Sequence, residues 1–132
     1  MPIQDNFQIP SSAQELPVPD GPAAKLFVCF ISSTDPVTKQ PWCPDVRAAL
    51  PRLDAAFSSE DAPNLAYVHV GQKPEWKEMD NLYRKTWGVN AIPALVRYQR
   101  INGVVKETGR LVEAEIMDEE KVLSLVSESG WL

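Results

Sequence analysis

The sequence predicts a single α/β domain of 132 residues, with a central mixed β-sheet flanked by helices on both faces. Three observations predict this class. The chain reads as elements in the order β-α-β-α-β-β-α. An unbroken apolar run, Leu26 to Ile31, has the length of a strand buried on both faces. Asn102-Gly103 is a strong hairpin-turn signal between the last two strands. Residues 1–24, rich in Pro, Ser, Gln and Asp, are expected to be weakly structured.

The remaining elements are predicted from apolar periodicity and turn residues. A helix is expected from about Cys43 to Phe57, with Pro51 inside it as the cause of a kink. Further along, the pattern predicts a strand at Asn64–Val70, a helix from Pro74 with an apolar stripe of Trp76, Met79, Tyr83 and Trp87, a strand at Ala94–Arg100, a partner strand at Arg110–Ile116, and a last helix capped by Asp118. Near the start, Phe7 and Ile9 alternate as in an edge strand, and Ser11 is a candidate helix cap.

Composition and charge exclude several classes of function. The net charge of -5, with scattered Lys and Arg, argues against nucleic acid or an anionic membrane as a main partner. Two cysteines do not make a disulfide framework, so a reducing compartment is expected. The N-terminal residues show no secretory signal pattern, and no apolar stretch has membrane-spanning length. We therefore expect a cytoplasmic monomer that needs no cofactor.

The stretch Trp-Cys-Pro-Asp-Val has the setting of a thiol redox site. Cys43 stands where a helix begins, and the free N–H groups there favour the thiolate form. Pro44 suits the first helical turn, and Trp42 would shield the sulfur and offer an apolar surface to a substrate. The carboxylate of Asp45 partly opposes the stabilisation of the thiolate. Val46 stands where a Cys-x-x-Cys motif would have its second cysteine.

The stretch Asn-Ala-Ile-Pro-Ala-Leu-Val supplies a second candidate part of the site. Pro93 lacks an N–H, so it belongs at the start of a strand. A cis bond between Ile92 and Pro93 would turn the chain sharply. The backbone of Ile92 would then be offered to an extended peptide near Cys43.

These motifs together resemble the thioredoxin superfamily and, within it, the thioredoxin-domain-containing protein 17 family. The resemblance lies in the stretches KLFVCFISSTDPVTKQPWCPDV and VGQKPEWKEMDNLYRKTWGVNAIPALVRY and covers about residues 25–128. It implies a thioredoxin fold and a cytosolic reductase of small disulfides and selected protein disulfides, itself reduced by NADPH-dependent thioredoxin reductase. The resemblance implies that Cys43 is the nucleophile of this family. Trp42, Pro44 and Asp45 then correspond to the residues beside the nucleophile, and Pro93 corresponds to the cis-proline.

The resolving cysteine of this family does not carry over, because this chain has Val46 in place of the last residue of WCPDC. A two-cysteine reductase releases its product when the second thiol attacks the mixed disulfide. Without that thiol, the mixed disulfide persists until an external thiol such as glutathione attacks it. Cys43 also has no neighbouring thiol for reduction by a thioredoxin reductase, so an ordinary dithiol reductase is excluded.

Three hypotheses for the function remain open. The first is a monothiol oxidoreductase in which Cys43 attacks disulfides of small molecules or proteins, or glutathionylated thiols. The second is a redox-inactive module that binds an extended segment between Trp42 and Ile92-Pro93. The third, an engineered Val46 that traps mixed disulfides, is disfavoured because Ser or Ala is the more common choice for such a trap.

Several other residues are expected to be structural. Alignment of the first buried strand with thioredoxins places Val28, not Cys29, beneath the active-site helix, and Cys29 is expected to be a small core residue. His69 lies on an alternating strand with no Cys or Asp cluster nearby in sequence, so no metal site is predicted.

Overall fold

The computed structural model describes residues 3–21 and 23–127, and within these ranges five strands form one mixed sheet accompanied by four α-helices. The strands are β1 (Ile3–Gln4), β2 (Leu26–Ile31), β3 (Asn64–His69), β4 (Ala94–Ile101) and β5 (Val104–Val112). The helices are α1 (Pro44–Ala56), α2 (Lys73–Lys77), α3 (Leu82–Lys85) and α4 (Glu119–Ser127), with 3-10 turns at Ala13–Glu15 and Glu113–Met117. The strand order is β1-β3-β2-β4-β5. Strand β3 is parallel to β1 and β2, and strand β4 is antiparallel to β2 and β5.

Strand β2 lies at the centre of the sheet and is buried along its whole length. Its side chains alternate between the two faces. Phe27 packs against Phe57 at the end of α1, with ring centroids 5.1 Å apart. Phe30 points to the other face and meets Trp87, with centroids 6.3 Å apart. Helices therefore cover both faces of the sheet, which confirms the predicted class.

The hairpin formed by β4 and β5 begins earlier than predicted. Asn102 and Gly103 both have positive φ, 55° and 80°, so the chain reverses within two residues and pairing resumes between Ile101 and Val104. The predicted partner strand at Arg110–Ile116 is therefore wrong in its bounds, since β5 ends at Val112 and a 3-10 turn follows. The sequence pattern does not predict the first half of β5, because this is an edge strand in which only Val105 is buried.

The single helix predicted from Pro74 is in fact two short helices, α2 and α3. Glu78 ends α2 in an extended conformation (φ -65°, ψ 131°). The Asn81 side chain then accepts a hydrogen bond from the Tyr83 N–H at 2.9 Å and starts α3. Met79, predicted to face the core, is 86% exposed in the connection. The other members of the stripe pack against the core as predicted: Trp76, Tyr83 and Trp87.

The N-terminal segment has little regular structure, yet it packs on the domain. The edge strand predicted at Phe7 and Ile9 is misplaced: β1 precedes it, and the Phe7 N–H makes a single bond to the Tyr67 carbonyl at 2.9 Å. The 3-10 turn is preceded by Ser12, one residue after the predicted cap, Ser11. Leu16 is 1% exposed and belongs to the hydrophobic core.

Candidate functional site

Cys43 is the N-cap residue of α1, as the sequence predicts. Its backbone is extended (φ -88°, ψ 122°), and Pro44 occupies the first turn. The Cys43 carbonyl accepts the Arg47 N–H at 3.1 Å, and the Cys43 N–H donates to the Ser32 hydroxyl oxygen at 3.2 Å. The thiol is free and half-buried, whereas Asp45 in the first turn is exposed. The sulfur is thus held at a helix start and remains partly accessible.

Trp42 is fixed in place by Gly71, which follows β3. The indole N–H donates to the Gly71 carbonyl at 2.9 Å, and the same carbonyl accepts the Ser33 N–H at 3.2 Å. The Gly71 N–H donates in return to the Ser33 hydroxyl at 2.9 Å. An isolated bridge between Thr34 and Pro41 closes the loop that leads to Cys43. These bonds join the loop between β2 and α1 to the chain beyond β3.

Ile92 and Pro93 lie at the same end of the sheet as Cys43. Both are buried, and the peptide bond between them is cis. Pro93 directly precedes Ala94, which pairs with Phe30 near the end of β2. Two residues beyond Phe30, Ser32 leaves the strand and bonds the Cys43 backbone. The fold therefore brings the two predicted halves of the site to one end of the sheet.

Val46 fills the position of the absent second thiol with a core side chain. It is 0% exposed and packs with the residues of α1 that face the sheet. Cys29 is also 0% exposed, and both cysteines are free. The helix therefore presents one sulfur, that of Cys43, at its start.

The predicted orientation of β2 is wrong by one residue, because Cys29 rather than Val28 faces α1. Cys29 pairs with Tyr67, and the Tyr67 hydroxyl donates to the Asp54 carboxylate of α1 at 2.8 Å. Burial raises the pKa of the Cys29 thiol far above its ordinary value, and the charge of Asp54 adds to this effect. Cys29 is thus a protonated core residue, and its predicted burial is confirmed.

The remaining candidate residues have structural contacts. His69 is half-buried on β3, with its Nε2 3.0 Å from the Asp5 carbonyl oxygen. Across residues 3–21 and 23–127, no group of three His, Cys, Asp or Glu side chains could hold a metal ion. No helix in these same ranges is long and apolar enough to cross a membrane.

Two further residues hold the site together, Ser32 and Gly71, and neither is predicted as a site residue from the sequence. Their contacts to Cys43 and Trp42 are set by the tertiary fold, which brings segments 11 and 29 residues apart into contact. A local signal did exist for Gly71, since a glycine directly after a strand often marks a positive φ. For Ser32, the only signal was a polar residue at the end of an apolar run.

The mixed sheet, the cis bond before β4 and a cysteine at the start of α1 define a protein of the thioredoxin fold. Solved structures agree: thioredoxin from Trichomonas vaginalis superposes with a TM-score of 0.52 at 18% identity, covering 94% of this chain and 96% of that one. Plasmodium falciparum thioredoxin superposes with a TM-score of 0.50 at 12% identity, covering 77% of this chain and 70% of that one. At such identities these two structures establish the fold.

The family is established by sequence: the chain belongs to the thioredoxin domain-containing protein 17-like family, whose thioredoxin domain matches residues 15–128. A thioredoxin domain-containing protein of Schizosaccharomyces pombe is 44% identical over 96 residues, which cover 73% of this chain and 77% of that protein. Human thioredoxin domain-containing protein 17 is 34% identical over 104 residues, or 78% of each chain. The thioredoxin-like protein Clot of Arabidopsis thaliana is 29% identical over 92 residues, covering 67% of this chain and 69% of that protein.

Proposed function

We propose that the protein is a monothiol thiol-disulfide oxidoreductase in which Cys43 is the nucleophile and an external thiol completes the cycle. The observation that carries this proposal is the contrast between two residues of one helix start. Cys43 is a free, half-buried thiol at the N-cap of α1, where its sulfur remains partly accessible. Val46, one turn later, is a fully buried apolar side chain. This arrangement supports attack by Cys43 on a substrate disulfide. It offers no second thiol in the same helix turn to release the product.

The proposed reaction has two exchanges. In the first, the Cys43 thiolate attacks one sulfur of a substrate disulfide, forms a mixed disulfide and releases the other sulfur as a thiolate. In the second, the thiolate of glutathione attacks the substrate sulfur of that mixed disulfide, and Cys43 leaves as a thiolate. The electrons come from the external thiol, so the steps need no bound cofactor.

The substrate would lie between the two halves of the site. Trp42 and Pro44 flank the sulfur, Asp45 lies exposed in the same turn, and Ile92 and Pro93 stand at the neighbouring strand start. An extended disulfide-containing segment could pair with the Ile92 backbone while its sulfur meets Cys43. We propose that the protein acts on such substrates as a cytoplasmic monomer.

A glutathione-coupled assay tests the activity. The chain is supplied with a small mixed disulfide and reduced glutathione, and formation of oxidised glutathione is followed through glutathione reductase and NADPH. We expect turnover that is lost in Cys43→Ser and kept in Cys29→Ala, because Cys29 is enclosed in the core. A wild-type rate equal to that of Cys43→Ser would refute the activity.

The second candidate function is a redox-inactive binding module, favoured by the apolar, fully buried side chain at position 46. In that case, Trp42 and the Ile92-Pro93 backbone would hold an extended partner segment without sulfur exchange. The same variants separate the two functions. Absence of turnover, together with partner binding that is lost in Trp42→Ala and kept in Cys43→Ser, would identify the binding module.

A further inference from the structure

A groove of about 500 Å³ lies between helices α1 and α4. The buried side chains of Ile116 and Val122 form its floor. Its walls consist of exposed apolar side chains from both helices: Ala48, Pro51, Ala55 and Leu123. The groove is therefore an apolar surface that the described residues, 3–21 and 23–127, leave open to solvent.

The walls of the groove are apolar at positions where a surface helix normally carries polar side chains. On α4, Leu123 is 48% exposed and lies one turn after Glu119. On α1, Ala48, Pro51 and Ala55 recur at helical spacing on the outward side. One exposed apolar residue needs no explanation, but several that line one groove mark an interaction site.

Two exposed side chains give the walls of the groove opposite charges. Arg52 lies on the wall that α1 forms, and Glu119 lies on the wall that α4 forms. Neither side chain forms a salt bridge or a side-chain hydrogen bond within the parts of the chain that the structure describes. A complementary occupant would therefore carry an acidic residue beside α1 and a basic residue beside α4.

The backbone of the two walls indicates what kind of segment fits between them. The backbone groups of α1 and α4 bond mainly within each helix, so an extended segment in the groove would find few partners for its own N–H and C=O groups. A helix satisfies these groups internally and needs only apolar contacts from the groove.

We propose that this groove binds an amphipathic helix of a partner protein, whose aliphatic side chains at i, i+3, i+4 and i+7 pack on the apolar floor. The two flanks of the helix differ in charge: acidic residues face Arg52, and basic residues face Glu119. Docking of an amphipathic helix into an apolar groove is a common mode of recognition. The small side chains of Ala48 and Ala55, two turns apart, allow the helix to approach α1 closely, since the distance between packed helices depends on the side chains at the contact.

The groove is separate from the candidate thiol site. Cys43 is the N-cap of α1, whereas Pro51 lies eight residues later, about 12 Å along the helix axis. A partner helix in the groove would leave the Cys43 sulfur accessible, so the protein would hold a partner while its thiol reacts. The inference does not depend on the proposed function, because the groove has the same lining whether or not Cys43 exchanges sulfur.

Selection from a phage-displayed library of helical peptides tests the proposal on the full chain. The library has a helix of about four turns, the length at which isolated helices begin to be stable, and is randomised at the anchor and flank positions. It is selected on the immobilised wild-type protein. We expect the enriched sequences to carry aliphatic anchors, with acidic residues on one flank and basic residues on the other. A synthetic peptide of an enriched sequence is then titrated by fluorescence anisotropy.

Leu123→Glu places a charge in the apolar wall, and we expect it to weaken peptide binding by at least about tenfold, as the loss of a central anchor contact does. Leu82→Glu is the matched control, because Leu82 is 49% exposed but lies on α3. Helix α3 packs on the other face of the sheet, where its Tyr83 meets Phe30. Leu82→Glu should bind the peptide as wild type does.

Charge reversal distinguishes this groove from any other apolar surface. Arg52→Glu should weaken binding of the selected peptide, and a second peptide with lysines in place of the acidic flank should bind Arg52→Glu better than it binds wild type. The proposal would be overturned by a peptide that binds Leu123→Glu as tightly as wild type, or by an Arg52→Glu variant that does not distinguish the two peptides. It would also be overturned if no helical peptide is enriched because residues 128–132 or a second copy of the chain fill the groove.

Discussion

Gly71 shows how one residue without a side chain determines the geometry of the site. Its carbonyl accepts hydrogen bonds from the Trp42 indole and the Ser33 backbone. It adopts φ of 108°, a conformation that residues with a Cβ rarely adopt. A Cβ added there would lie 3.0 Å from the Glu75 Cβ, so the neighbouring helix α2 would also have to move. Only glycine adopts this φ without strain and also leaves Glu75 of α2 in its place.

Gly71→Ala is therefore expected to lower the free energy of unfolding by about 2 kcal/mol and to loosen Trp42. Gly88→Ala is the control, because Gly88 also has positive φ, 65°, but a Cβ there would meet nothing within 4 Å. Urea unfolding measures the stability, and quenching of tryptophan fluorescence measures the exposure of the indole. Equal destabilisation by both substitutions, with unchanged quenching, would show that the contacts of Gly71 are unimportant.

The orientation of Cys29 marks a limit of sequence reasoning at this scale. A run of six apolar residues predicts a buried strand whichever face each side chain takes. If β2 is aligned with the thioredoxin strand one residue out of place, every side chain of β2 is assigned to the opposite face of the sheet. This is why Val28 was expected beneath α1. The face was decided by tertiary contacts, such as that between Phe27 and Phe57.

At the scale of elements, those marked by apolar runs or by prolines were predictable, whereas the edge strand β5 and the short helix α3 were not. Strand β2, helix α1 and the start of β4 carry clear apolar runs or proline signals, and the predicted site residues Cys43 and Pro93 directly precede α1 and β4. Strand β5 lies at the edge of the sheet with Val105 as its one buried residue, and α3 is started by the Asn81 side chain. Neither signal is apolar periodicity, so both elements were misjudged.

The hairpin of β4 and β5 carries a titratable group that makes stability depend on pH. Tyr98 of β4 is 3% exposed and pairs with Glu107 of β5. Burial raises the pKa of Tyr98 to about 12, the Glu107 carboxylate adds to the rise, and Arg110 opposes it. The unfolded chain has an ordinary tyrosine pKa near 10, so between these values the folded state holds a proton that the unfolded state has lost.

The contribution of Tyr98 is thus complete below about pH 10 and is lost as the pH rises through about 12. We compare wild type with Tyr98→Phe, which cannot ionise, by urea unfolding across this range. The difference in the free energy of unfolding, wild type minus variant, should fall by up to about 3 kcal/mol. A difference that does not change with pH would contradict the assigned environment of Tyr98.

At the scale of the whole molecule, the thioredoxin fold brings the parts of the candidate site together around one accessible sulfur, that of Cys43. The loop after β2, the start of α1 and the start of β4 meet at one end of the sheet. The second position of the motif has become part of the hydrophobic core, as the full burial of Val46 shows. We propose that Cys43 forms mixed disulfides that the protein cannot resolve by itself.

The fate of one mixed disulfide tests this claim most directly. Wild type and Val46→Cys are treated with oxidised glutathione, freed of excess reagent and followed by mass spectrometry of the intact chain. We predict that wild type keeps one glutathione on Cys43 until reduced glutathione is added. In Val46→Cys, the introduced thiol should expel glutathione and form a disulfide with Cys43. A wild-type chain that takes up no glutathione, or that sheds it without added thiol, would contradict the account.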